Sequence, residues 1–187
     1  MDPPEISVNI RYRSYHFYMD LLQIDGESLT IANVNEVALE RRRVALHPAA
    51  AARMSRSRSV IEAIIEEERA VYGVSTGFGK LSDVHVGRDQ ITPLQHNLVR
   101  SHAAGVDEPF FESEVRALML LRANVLAKGL SGARPVVAER LCDLLNHRVY
   151  PVIPCRGSVG ASGDLAPLAH LALVLIGEGE KIGRAHV

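Results

Sequence analysis

The chain has 187 residues, enough for one domain with a core of its own, and at 47% hydrophobic it has the composition of an ordinary globular protein. A net charge of −1 gives no electrostatic reason to expect nucleic acid as a partner. Cys142 and Cys155 are the only cysteines and form no C-x-x-C, which suits a reducing cytoplasm and no structural zinc, and no apolar run reaches the ~18 residues that would span a bilayer.

Residues 1–18 are rich in aromatics (Tyr12, Tyr15, Phe17, Tyr18) without a clear period, and Asp2, Glu5, Arg11 and Arg13 argue against a secretory signal. Leu21–Ile24, Asp25-Gly26 and Ser28–Ile31 read as a small β-hairpin with a tight two-residue turn. Asn33, with Glu36 three residues on, predicts a helix running to about Leu46. Pro48 predicts the start of the next helix, whose Val60, Ile61, Ile64 and Ile65 keep helical spacing to about Ala70. The basic clusters Arg41–Arg43 and Arg53, Arg56, Arg58 lie near Glu62 and Glu66–Glu68, which reads as a solvated, salt-bridged face.

Tyr72 to Lys80 holds three glycines in seven residues, a loop of close backbone approach. It is not a phosphate loop: five residues separate Gly73 from Gly79-Lys80, and Leu81 stands where magnesium chemistry needs Ser or Thr. Thr92-Pro93-Leu94-Gln95 predicts a helix start, with an apolar face of Leu94, Leu98 and Val99 and an end near Ser101–Gly105, Gly105 being the cap. On its own, His102 at such an end reads as structural, helped by the dipole when charged. A helix over about Phe110–Lys128 carries Leu118, Leu121 and Val125 as its apolar stripe, and Gly129 stops it. Another begins at Pro135, and Tyr150–Pro154 is an extended, proline-broken lead into a glycine-rich stretch.

That stretch reads Gly157-Ser158-Val159-Gly160-Ala161-Ser162-Gly163-Asp164-Leu165-Ala166-Pro167-Leu168-Ala169-His170. Three small residues, Ala161-Ser162-Gly163, separate a glycine-rich run from an apolar helical pattern that Asp164 caps and that reaches Gly177. Gly163 has no Cβ and can take φ values closed to other residues. A nucleophile elbow would need a glycine where Asp164 stands, and no G-x-G-x-x-G opens here. Taken alone, Ala-Ser-Gly is a common turn.

The full run from Gly157 to Ala169 resembles the signature of the histidine and aromatic amino acid ammonia-lyases. Tyr72-Gly73-Val74-Ser75-Thr76-Gly77-Phe78-Gly79 resembles a second motif of that family, and Asn97–Gly105 its substrate-side helix. The resemblance implies a mainly α fold, of which this chain holds the N-terminal part. It also implies an electrophile, methylidene-imidazolone, formed autocatalytically from Ala161, Ser162 and Gly163. The Gly163 nitrogen closes a five-membered ring on the Ala161 carbonyl carbon, and two waters leave, one of them from the Ser162 side chain. Such a group acts as a built-in cofactor, and no metal or external cofactor is implied. By the same resemblance Tyr72 is the base for the substrate's β-proton, and Ser101 and His102 are substrate-binding, with His102 on the substrate imidazole. A Ser-His pair there looks like the histidine-selective branch, which eliminates ammonia from L-histidine to give urocanate. The alternatives within the family are a phenylalanine or tyrosine ammonia-lyase or an aminomutase. Outside enzymes, the alternative is a helical interaction fragment without chemistry.

The resemblance covers roughly residues 19–180, the N-terminal portion of a catalytic domain, and a complete family member is much longer. Family members begin near residue 19, so residues 1–18 are expected to be a non-native extension. After Glu180 the pattern breaks off, and Ile182–Val187 back-translates to a stretch like common sequencing-adapter DNA, so residues 181–187 are expected to be a non-native tail. The family implies a cytoplasmic homotetramer with shared active sites and no nucleic-acid or membrane partner. A lone chain of this length is therefore expected to be inactive and to leave apolar helix faces uncovered.

Overall fold

A computed structural model describes residues 21–182, apart from 83, 85, 158 and 162. The expectations for residues 1–18, for Ser162 and for 183–187 lie outside the described residues. In chain order the elements are β1 (Leu22–Ile24), α1 (Ile31–Glu40), β2 (Val44–Leu46), α2 (Pro48–Glu66), a 3-10 turn (Gly79–Leu81), α3 (Arg88–His102), β3 (Val106–Pro109), α4 (Glu112–Ala127), α5 (Pro135–Asn146), β4 (Tyr150–Pro151), β5 (Pro154–Arg156), β6 (Val159–Gly160), β7 (Gly163–Asp164), α6 (Leu165–Leu175) and β8 (Lys181–Ile182). The described chain is mainly helical, and its strands are short and paired two by two.

The first β unit differs from the expected hairpin. β1 pairs in parallel with β2, Leu22 opposite Val44 and Ile24 opposite Leu46, and α1 makes the crossover. Local polar bonds decide this. The Asp25 carboxylate accepts from the amides of Glu27 (2.8 Å) and Ser28 (2.9 Å), and these bonds hold it at a pKa of about 2. Thr30 and Asn33 then cap α1 reciprocally, so a helix opens at Ile31 where a returning strand is expected. Gly26 keeps its turn at φ 87, where a Cβ would lie 2.7 Å from Lys128 N; the turn is pressed on the end of α4, and Asn124 Oδ1 accepts the Gly26 amide at 3.0 Å. The predicted helix to Leu46 also stops short, at Glu40, where Arg41 takes a left-handed cap at φ 61. The open edge of β2 is closed by Asn146, whose side-chain amide exchanges two bonds with Val44 (2.9 and 2.8 Å) as a strand would.

α2 begins at Pro48, as its sequence predicts, with His47 Nδ1 accepting the Ala49 amide at 3.1 Å. Its basic face is only partly solvated. Arg58 pairs with Glu62 at 2.9 Å, but Arg53 donates to the carbonyls of Asp25 and Ala127 and ties β1 to α4.

α4 is the centre of the core. Val115, Met119, Leu120, Ala123 and Leu126 pack against Ala138, Leu141, Cys142 and Leu145 of α5 and Val37 of α1, with Ile24, Val44 and Ile153 closing the ends. Each large side chain fully buried there contributes about 1.5–3 kcal/mol. The expected stripe is corrected here: Leu121 and Val125 are each 48% exposed. Residues 118–121 are apolar on every face, so periodicity alone does not choose which side turns inward. The core instead admits Arg116, which donates to Val37 O, lies 3.3 Å from Glu112 Oε1 and sits 5.7 Å over the Tyr150 ring.

α3 packs along α6. α3 starts at Arg88, four residues before the predicted cap, and Pro93 falls inside it. The Gln90 amide closes a tight first turn on Gly87 O at 2.9 Å, and Asp89 sits in that turn where the dipole favours it. Pro93 removes one donor from the second turn, and the helix continues. The other end is Ala103, not Gly105. No helix among the described residues is long and apolar enough to cross a membrane.

Candidate active site

The loop bearing Tyr72 is fixed by Ser75. Ser75, 1% exposed, accepts the Val71 amide at 3.0 Å through its hydroxyl and donates that hydroxyl to Arg69 O. Its own carbonyl accepts from Val86 at 2.8 Å, and Gly77 N donates to Val84 O at 3.0 Å, so the loop is strapped to the segment after it. With its polar hub inside, the loop turns Tyr72 outward, 63% exposed. Phe78 meets the Tyr72 ring edge-on, centroids 6.0 Å apart at 69°.

The last turn of α3 fixes the histidine. Leu98 O accepts from Ser101 Oγ at 3.0 Å and lies 2.8 Å from His102 Nδ1. A carbonyl can only accept, so Nδ1 carries the proton and Nε2 is left as an acceptor in the neutral ring. Ser101 Oγ is also 3.1 Å from His102 Nδ1.

Tyr72 and His102, 30 residues apart in sequence, line one cavity of about 530 Å³. Its walls are Phe78 and Gly79, Leu98 and Val99 of α3, Arg122 of α4, and Leu165, Leu168, Ala169 and Ala172 of α6. Ser101 is exposed and lies outside these walls. Arg122 is the cavity's one cation and has no ion pair or hydrogen bond among the described residues. It belongs to neither sequence motif, although it sits inside the Leu118–Val125 stripe as the one charge in an apolar run, which is the signal that could have found it.

Ala161 and Gly163 stand at the entrance to α6. β6 and β7 pair antiparallel, Val159 opposite Asp164 and Gly160 opposite Gly163. Gly163 takes φ 92, and a Cβ built there meets nothing within 4 Å; the backbone angle, and not crowding, demands glycine. Ala161 and Gly163 are exposed and do not line the Tyr72–His102 cavity, but Leu165, two residues on, does. Asp164 occupies the cap position with φ −87 and ψ 63, yet its side chain makes no cap bond, contrary to expectation.

Two clasps join the end of α3 to α6 and the turn behind it. Arg100 holds Glu178 through two bonds of 2.5 and 2.8 Å, which lowers the Glu178 pKa. The Gly105 amide donates to His170 Nε2 at 3.1 Å, and burial pushes the His170 ring below its usual pKa. Neither clasp was visible in sequence, where the partners stand 78 and 65 residues apart. Among the described residues, no group of three or more His, Cys, Asp or Glu is placed to hold a metal ion.

A helical layer entered from a glycine-rich strand pair, with a tyrosine loop opposite, defines a class. The sequence model of that class, aromatic amino acid lyase, matches residues 29–186, and the chain belongs to this family. The chain is 57% identical over 162 residues to the histidine ammonia-lyase of Anaeromyxobacter dehalogenans, covering 87% of itself and 32% of that protein. It superposes on the tyrosine aminomutase of Streptomyces globisporus with a TM-score of 0.83 at 43% identity (89% of this chain, 31% of that one). For the histidine ammonia-lyase of Trypanosoma cruzi the TM-score is 0.77 at 38% identity (84% and 30%). The chain thus spans about a third of the length of the relatives it matches.

Proposed function

We propose that this chain is the N-terminal portion, roughly residues 19–180, of a cytoplasmic, homotetrameric histidine ammonia-lyase that converts L-histidine to urocanate and ammonia. On this reading the chain is inactive alone. The observation that carries the proposal is the close antiparallel pairing of Gly160 with Gly163, set at the mouth of the helix that walls the Tyr72–His102 cavity. This pairing fits a self-formed methylidene-imidazolone. Gly163 already holds φ 92, which other residues resist, and open space surrounds it. Once formed, that group would supply an electrophilic carbon that no ordinary side chain offers.

The chain's own residues would do the rest. Tyr72, on a loop stiffened by Ser75, would take the β-proton of the substrate. His102, its Nδ1 proton committed to Leu98 O, would present Nε2 to an imidazole N–H, and Ser101 would support that geometry. A phenyl ring has no N–H to offer, so the same acceptor would be left unmatched by phenylalanine. Arg122 gives the cavity a positive charge that suits a ligand bearing a carboxylate. The N-terminus of α6, where the Asp164 side chain makes no cap bond, favours negative charge beside Gly163. Relatives named for histidine ammonia-lyase support the substrate.

The likeness to a tyrosine aminomutase favours a second reading, the same electrophile acting on tyrosine. The test is product analysis of the full-length protein: urocanate from L-histidine is the expected result. Cinnamate from phenylalanine, or a β-amino acid from tyrosine, would overturn the histidine assignment.

A further inference from the structure

We propose that His170 is a positioning residue for substrate selection: from α6 it holds the Gly105 amide, and so fixes the end of the helix that presents His102. The proposal rests on the histidine ammonia-lyase reading of the site. Only Ala103 and Ala104 separate His102 from Gly105, so a displacement of Gly105 reaches the last turn of α3 directly. α3 packs along α6 but buries no residue fully, and its other clasp, Arg100–Glu178, is solvent-exposed.

The junction is tight on both sides. A Cβ at Gly105 would lie 3.0 Å from His170 Nε2, 3.2 Å from His170 Cδ2 and 3.2 Å from Pro154 Cβ. A Cβ at Gly157 would lie 2.5 Å from Ala166 Cβ and 3.7 Å from Gly105 Cα. Backbone from the exit of α3, from β5 and from the lead into β6 thus meets α6 at one point, with His170 as its hydrogen-bond acceptor. His170 stands two turns along the helix that opens at Gly163-Asp164, so the clasp sets the substrate-side helix in register with the proposed electrophile's own helix. An apolar side chain at 170 could fill the volume but would leave the Gly105 amide without its partner.

The test has a structural and a kinetic arm. In the 187-residue chain, amide exchange at Gly105 should accelerate at least about tenfold in His170→Leu and recover in His170→Gln, whose side-chain oxygen can accept. In the full-length protein, His170→Leu should raise the KM for L-histidine about tenfold or more while kcat changes by less than about threefold, the pattern of lost ground-state positioning. The near-ultraviolet absorbance of the ring should stay. Gly105→Ala, which crowds the same contact from the other side, should give the same KM rise and add little to His170→Leu. Unchanged KM and unchanged Gly105 exchange in His170→Leu would overturn the proposal. So would loss of the ring absorbance with KM intact, which would assign His170 to ring formation. A KM rise of the same size for a different amino acid, where the wild type does not turn over histidine, would support the positioning role and overturn only the histidine reading.

Discussion

α3 and α4 are nearly equal in length, 15 and 16 residues, and meet the rest of the chain in opposite ways. α4 buries seven of its side chains, while α3 buries none and is held by a carbonyl shared between Ser101 and His102, by Arg100–Glu178 and by Gly105–His170. Apolar burial is strong but undirected. Hydrogen bonds and ion pairs contribute less, but each fixes an angle and a distance. The difference teaches where rigidity and where precision are placed. α4 supplies a wall that hardly moves, and α3 supplies one side chain, His102, whose ring nitrogens must be assigned correctly. A helix held this way belongs to the low-stability end of the structure, where binding elements are commonly found.

Substitutions can pull the two regimes apart. The largest effect is expected outside both helices. In the full-length protein, Ser162→Ala removes the hydroxyl that the proposed ring formation would expel as water, so ring absorbance and nearly all turnover should vanish. Absorbance retained in that variant would contradict the ring's origin. Tyr72→Phe comes next: turnover should fall by roughly 10²–10⁴-fold, the span of a lost general base, with absorbance intact. Leu120→Ala attacks the α4 regime. It should cost about 2–5 kcal/mol in denaturant unfolding, because Leu120 is fully buried, and should leave the ratio of histidine to phenylalanine turnover unchanged.

The smallest effect is a matter of pH. Glu178 has a folded pKa below its usual 4.5 because Arg100 donates to it. The unfolded chain therefore binds the proton first, and stability rises with pH across that window. The clasp is fully present above about 4.5 and is lost as pH falls through the lowered value. NMR signals of Arg100–Ala103 should move in that range while those of α4 stay. The reverse order would break the comparison.

The two regimes also differ in how well sequence foretells them. The starts of α2 and α5 follow from Pro48 and Pro135, since proline at a first helical position suits both its fixed φ and its missing donor. The motif residues Tyr72 and His102 line a common cavity. What sequence could not give is choice among local options. Asp25-Gly26 reads as a hairpin turn, but the Thr30–Asn33 capping pair opens a helix at Ile31 in place of the returning strand. Leu118, Leu121 and Val125 have correct helical spacing, but the run is apolar on all sides, and packing selects Val115, Met119, Leu120 and Ala123 instead. Thr92-Pro93 has the form of a helix start, yet the helix already begins at Arg88 and carries Pro93 inside it. The roles of His170 and Arg122 are not carried by a local pattern of their own, although Arg122 stands out as the one charge in an apolar run. Their roles arise from a partner far along the chain or from the cavity walled, and only the fold brings these together.

The chain covers only about a third of its relatives' length. The chemistry proposed for Ala161-Ser162-Gly163 is therefore best judged in a full-length protein. Intact mass of that protein tests it most directly. Ring formation predicts a chain two waters lighter than its translated sequence, with the deficit confined to the peptide spanning Ala161–Gly163. Undiminished mass in a preparation that still deaminates histidine would contradict it.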